Sequence, residues 1–148
     1  MNSGGVVPVG ELIEGDDHWV LPIADLLVTQ LRFDFAVTLI FEEHFHVRME
    51  GVIALSSDVG SSDSVIEVEG DVDQLVPLLR LKTATVREGL AFKDGRLELT
   101  FTDGSRLVAP AGQAYESWQL AGPHGLLIVS VPDGGLTIWM PKTDEGTE

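Results

Sequence analysis

Asp94-Gly95-Arg96-Leu97-Glu98-Leu99-Thr100-Phe101-Thr102-Asp103-Gly104 is the stretch from which the fold can be read. Leu97, Leu99 and Phe101 alternate with Arg96, Glu98 and Thr100, the two-residue period of a strand with one wet face. An Asp-Gly pair stands at each end, and glycine supplies the positive φ that a tight hairpin turn requires. Arg106 to Ala109 runs back and Pro110 closes it. Tyr115 to Leu120 is the next strand, followed by a Gly122-Pro123-His124-Gly125 turn. Leu126 to Val131 is nearly all apolar, as in a strand covered on both faces. Pro132-Asp133-Gly134-Gly135 turns the chain into Leu136 to Met140, completing an antiparallel meander.

Toward the N-terminus the same scheme is less regular. Trp19 to Leu21, Val28 to Phe33, Phe35 to Phe41, Phe45 to Ala54 and Ser64 to Glu69 read as strands. Asp71 to Leu81 alone reads as a helix, with Asp71 as its cap and Leu75, Leu78 and Leu79 on one face. Pro77 makes that helix short or kinked. An offset of 60 residues lays Val37, Leu39, Phe41 and Val47 on Leu97, Leu99, Phe101 and Leu107, and Glu43-His44 on Asp103-Gly104. That match predicts a hairpin tip at His44 and raises the prospect of duplicated halves, 17–70 and 82–141. The expected fold is all-β: an antiparallel β-sandwich or partly open β-barrel of about ten short strands with one short helix. Residues 1–16 are expected to form a flexible acidic leader, 17–141 a single β-domain and 142–148 a polar tail.

Composition narrows the partners. The 148 residues hold nine Lys plus Arg against 24 Asp plus Glu, a formal net charge of −15. The imbalance is concentrated: residues 1–74 contain 15 acids and only Arg32 and Arg48. Nucleic-acid affinity rests on cationic side chains displacing counterions, and anionic membranes demand the same charge, so neither is an expected partner. The absence of cysteine rules out disulfides and thiolate metal sites and suits a reducing cytoplasm. The N-terminus lacks the basic and apolar regions of a signal peptide, and no apolar run is long enough to span a bilayer.

Two functional readings follow. The first is a non-catalytic binding module that needs no cofactor and steers a basic protein partner with Glu42, Glu43, Glu50, Glu67, Glu69, Asp71 and Asp73. The second is a metal site. In an extended strand His44, His46 and Glu50 share a face, and imidazoles with a carboxylate suit a divalent transition metal. A metal-dependent enzyme or metal sensor would result. The opposite row, Phe45, Val47 and Met49, would pack inward. His18 beside Asp16 and Asp17, and a patch formed by Trp118 and Trp139, are lesser candidates. Asp71-Val72-Asp73 lacks the glycine and closing glutamate of a calcium loop. Neither a Gly-x-Ser-x-Gly elbow nor a phosphate-cradling Gly-Lys-Ser/Thr loop is present. Oligomeric state is not legible in the sequence.

Two resemblances accompany these readings. His44-x-His46-x3-Glu50 is similar to the first metal motif of the cupins, small metal-binding β-barrels. The likeness ends there: Thr38 stands where the leading glycine belongs, and His124 in Gly-Pro-His-Gly supplies no second motif. More broadly, Thr29-Gln30-Leu31-Arg32-Phe33-Asp34-Phe35, the 94–104 stretch, Tyr115-Glu116-Ser117-Trp118-Gln119-Leu120 and Gly-Pro-His-Gly resemble a family of small actinobacterial proteins of unknown function. That resemblance spans most of residues 19–140. It implies an all-β cytoplasmic domain and no catalytic residue. Bacterial immunity factors that neutralise basic toxins are similar in size and charge, without a shared motif.

Overall fold

The computed structural model describes residues 11–57, 64–112, 116–132 and 134–141. The proposed polar tail, residues 142–148, therefore lies outside the described residues, as does most of the proposed leader. Thirteen strands form two antiparallel sheets stacked as a sandwich. They are β1 Ile13–Glu14, β2 His18–Val20, β3 Val28–Phe33, β4 Val37–Phe41, β5 His46–Met49, β6 Val52–Ser56 and β7 Ser64–Glu67, then β8 Val86–Phe92, β9 Leu97–Phe101, β10 Arg106–Ala109, β11 Trp118–Ala121, β12 Leu127–Ser130 and β13 Leu136–Trp139. One sheet has the order β1-β2-β8-β9-β10-β6-β7, the other β13-β12-β11-β5-β4-β3. The sheets remain open, so the barrel alternative does not apply. Inward rows from both, including Leu39, Val47, Leu120 and Ile128 on one side and Ile53, Leu97, Leu99 and Leu107 on the other, form one core.

The count exceeds the ten strands expected, for local reasons. Ile13–Glu14, assigned by sequence to the leader, pairs with β2. Residues 45–54 divide where Gly51, at φ +77°, carries the chain from one sheet to the other. β8 escaped the pattern because its pairing slips between Val86 and Glu88, which leaves Arg87 and Glu88 both outward. A bulge of this kind breaks the two-residue alternation on which strand reading depends.

The helix is also different in kind. Val72–Leu81 is a 3₁₀ segment containing Pro77. With three residues per turn, Leu75, Leu78 and Leu81 stack on one side, and Leu78 and Leu81 are buried. Leu79, placed inward by an α-helical period, is 56% exposed. The Asp71 carboxylate makes no cap hydrogen bond; its backbone carbonyl accepts from Gln74 N–H at 3.0 Å instead.

Residues 28–49 and 86–109 share one pattern of strand pairing. Leu39 faces Val47 across β4–β5, and 60 positions later Leu99 faces Leu107 across β9–β10. The preceding strands agree at an offset of 58, bulge included: Val28 faces Phe41 and Gln30 faces Ile40, as Val86 faces Phe101 and Glu88 faces Thr100. The halves meet at the Leu27–Thr85 bridge, where Val28 N–H donates to Ala84 O and Val86 N–H to Leu26 O, at 2.8 and 2.9 Å. This exchange is what a local two-fold axis between equivalent strands would impose.

Candidate functional site

The acidic side chains converge where β5 gives way to β6. Glu50 follows the end of β5 in the six-stranded sheet, Gly51 turns the chain, and Val52 opens β6 opposite Glu67. Val68 N–H donates to Gly51 O at 2.8 Å, and Gly70 N–H to Glu67 O at 2.9 Å, so the chain after β7 folds back beside the turn. Gln74 Oε1 accepts from Glu67 N–H at 2.9 Å and ties the 3₁₀ segment to the same corner. The result is an open groove of about 530 Å³ lined by Glu50, Gly51, Val52, Glu67, Glu69 and Gly70. Arg48 Nη1 lies 3.6 Å from Glu50 Oε2, with both side chains partly exposed. A pair so placed in water contributes at most about 1 kcal/mol. Glu50, Glu67 and Glu69 line one groove, and the field of three carboxylates favours an incoming cation.

The remaining acidic candidates are dispersed. Asp71 and Asp73 are exposed at the start of the 3₁₀ segment, and Glu42 and Glu43 at the β4–β5 tip. Glu42 has a structural task, because its Oε1 accepts from Leu27 N–H at 2.9 Å.

His44, His46 and Glu50 are not brought together. His44 occupies the tip at φ +68°, so the alternation begins only at His46, which faces outward from β5. Glu50 belongs to the acidic groove. Among the described residues no group of three His, Asp or Glu side chains is placed to hold a metal ion. The inward row is as read, with Phe45, Val47 and Met49 all buried. His18 begins β2; its Nδ1 lies 2.8 Å from Asp17 Oδ1, and that hydrogen bond holds the Asp17 carboxyl below its ordinary range. Trp118 and Trp139 form no patch: Trp118 is buried, whereas Trp139 is half exposed on β13.

Sequence reading missed the buried polar cluster around Gly95. Trp118 Nε1 and Ser130 Oγ each donate to Gly95 O at 2.8 Å, and Ser117 Oγ lies 3.3 Å from Ser130 Oγ. These partners stand 23 and 35 positions from Gly95, beyond the reach of any local pattern. Missed too was a cleft on the outer face of the six-stranded sheet, about 180 Å³ and lined by Arg32, Asp34, Thr38, His46, Arg48 and Gln119. A signal for it exists: Arg32 and Arg48 are the only cationic residues among the first 74.

The fold is a β-sandwich of two open antiparallel sheets with charged recesses. Residues 19–140 match the model of a family of unknown function (DUF6188), and the chain belongs to that family. No match is found among curated proteins or among solved structures. Among the described residues no helix is long and apolar enough to cross a membrane.

Proposed function

We propose that the protein is a non-catalytic binding module that receives a basic segment of a partner protein in the groove of Glu50, Glu67 and Glu69. The placement of these three carboxylates along one groove, from the β5–β6 turn, β7 and the turn after it, carries the reading. Asp71 and Asp73, a few residues beyond Glu69, extend the negative field in the direction of the 3₁₀ segment. Steering by such a field raises association rate more than final affinity and weakens with salt. In this reading the module acts in the cytoplasm, in a regulatory or immunity-like role. An exposed acidic surface also serves solubility, and charge matching distinguishes the two roles. The test compares capture of partners at low and high salt by three proteins: the natural chain, Glu50→Gln/Glu67→Gln/Glu69→Gln, and the control Asp16→Asn/Glu88→Gln/Glu116→Gln. All substituted control positions are exposed, and both triples remove the same charge. A partner held at low salt by the natural chain and the control, and lost from the groove variant, is expected. Equal loss from both variants, or no salt-sensitive partner, overturns the reading.

A further inference from the structure

The cleft on the opposite sheet has the contrary charge. Strand pairing sets Arg32 opposite Thr38, Thr38 opposite Arg48 and Arg48 opposite Gln119, a continuous row across β3, β4, β5 and β11. Strands two apart in a sheet are separated by about 10 Å, so two arginine side chains leaning inward can meet above the residue between them. Thr38 is short, and the recess of about 180 Å³ lies over this row. The two arginines differ in their partners. Among the described residues Arg32 forms no ion pair, and Arg48 Nη1 is buried without a hydrogen-bond partner, its nearest carboxylate being Glu50 at 3.6 Å. Asp34, at the rim, spends Oδ1 on Ala36 N–H at 2.8 Å. A buried guanidinium nitrogen left without an acceptor costs free energy that an arriving anion would recover.

The other sheet holds an arginine–carboxylate cluster for comparison, built from different positions, since Arg96 and Arg106 correspond to Ala36 and His46. At the position of Thr38, 60 residues on, stands Glu98, flanked by Arg96 Nε at 3.7 Å and Arg106 Nη1 at 3.9 Å. There the chain provides its own carboxylate near two guanidinium groups, although Arg96 Nε is likewise buried without a hydrogen-bond partner. In the cleft's own row the residue between Arg32 and Arg48 is Thr38, and the nearby carboxylates are Glu50, 3.6 Å from Arg48, and Asp34 at the rim.

We propose that the Arg32–Thr38–Arg48 cleft binds a small monoanionic carboxylate, with the arginines as charged donors and the Thr38 hydroxyl and Gln119 amide completing its hydrogen bonds. The volume corresponds to about six waters, enough for a carboxylate and a few carbons. The Asp34 carboxylate at the rim and the net charge of −15 oppose a phosphate dianion more strongly than a single negative charge. The cleft and the acidic groove are linked by the Arg48–Glu50 pair, at 3.6 Å.

The experiment titrates the full chain with sodium acetate at constant ionic strength and follows amide and arginine side-chain NMR signals. Saturable shifts at Arg32, Thr38, Arg48 and Gln119 are expected. Arg48→Gln and Arg32→Gln should each weaken binding at least about tenfold, the effect of losing one charged hydrogen-bonding partner. Thr38→Glu should abolish binding by installing the internal carboxylate seen at Glu98, while Arg106→Gln should leave it unchanged. Arg32 is exposed, so its variant retains the fold even if Arg48→Gln does not. Absence of saturable shifts, shifts that survive Arg32→Gln, or displacement of acetate by a lower concentration of phosphate overturns the proposal.

Discussion

Residues 28–49 and 86–109 build the same three-stranded meander with the same registers, yet the two copies differ at the middle, at one turn and at the tip. At the middle Thr38 and Arg48 pair where the second copy pairs Glu98 with Val108, so the outward rows differ in charge. At the first turn the second copy is longer. Gly95, at φ +105°, sends its carbonyl inward to Trp118 and Ser130, whereas the shorter turn of the first copy leaves Phe35 77% exposed. At the tip both copies close with one backbone bond, Phe41 N–H to Phe45 O and Phe101 N–H to Ser105 O, each at 2.9 Å. Gly104 supplies the positive φ in one; Glu43 and His44 are forced into it in the other. Backbone pairing thus tolerates opposite surface chemistry, because register depends on the inward row and function on the outward one.

The largest expected effect tests the inward-facing turn that only the second copy possesses. Trp118→Ala should cost about 3–5 kcal/mol, the usual loss for a buried tryptophan. Trp118→Phe should cost less, since Ser130 Oγ still donates to Gly95 O. Urea midpoints measure both, and a change below about 1 kcal/mol for the alanine variant would contradict the anchoring role. Exchanging the tip residues comes next. Gly104→His should lose about 1–2 kcal/mol by placing a β-carbon in left-handed backbone. His44→Gly should gain a smaller amount, under about 1 kcal/mol, because relief of strain is offset by the extra freedom of the unfolded glycine. Equal and opposite shifts would mean that the tips are interchangeable; a loss in both would mean that His44 makes a contact that offsets its strain.

The smallest effect concerns Asp103, whose carboxyl is held below its ordinary value first by the Ser105 hydroxyl and then by Ser105 N–H, at 2.6 and 2.8 Å. A carboxyl lowered in the folded state stabilises the protein above its unfolded value of 3.8 and loses that contribution as pH falls through the folded value. Asp103 is exposed, so the contribution is well under about 1 kcal/mol. Ser105→Ala should be slightly less stable than the natural chain near neutrality, and the gap should close in strong acid. A gap independent of pH would assign the loss to the turn rather than to the carboxyl.

Much of the second half was legible because its strands carry one wet face and end at Asp-Gly turns. Leu97–Phe101 and Arg106–Ala109 occupy the residues read from the sequence. β8 was not legible, since its bulge and Gly89 interrupt the alternation, and the 3₁₀ segment was misjudged because Leu75 and Leu78 fit both helical periods until Leu79 is seen in water. Of the acidic candidates, Glu50, Glu67 and Glu69 share a groove; Glu42 is occupied by Leu27, and nothing in their spacing separates these cases.

Sequence alone determined the class of fold, the inward row Phe45, Val47 and Met49, the exposed tip at His44 and the overwhelmingly anionic first half. These are short-range properties: side chains alternate along any extended strand, and charge adds up wherever it lies. Tertiary structure decided that the sandwich stays open, that three glutamates meet at the β5–β6 corner and that Arg32 and Arg48, 16 positions apart, flank one threonine. Such meetings depend on which strands pair and in which register, and that choice is made by the shared core rather than by the residues that meet.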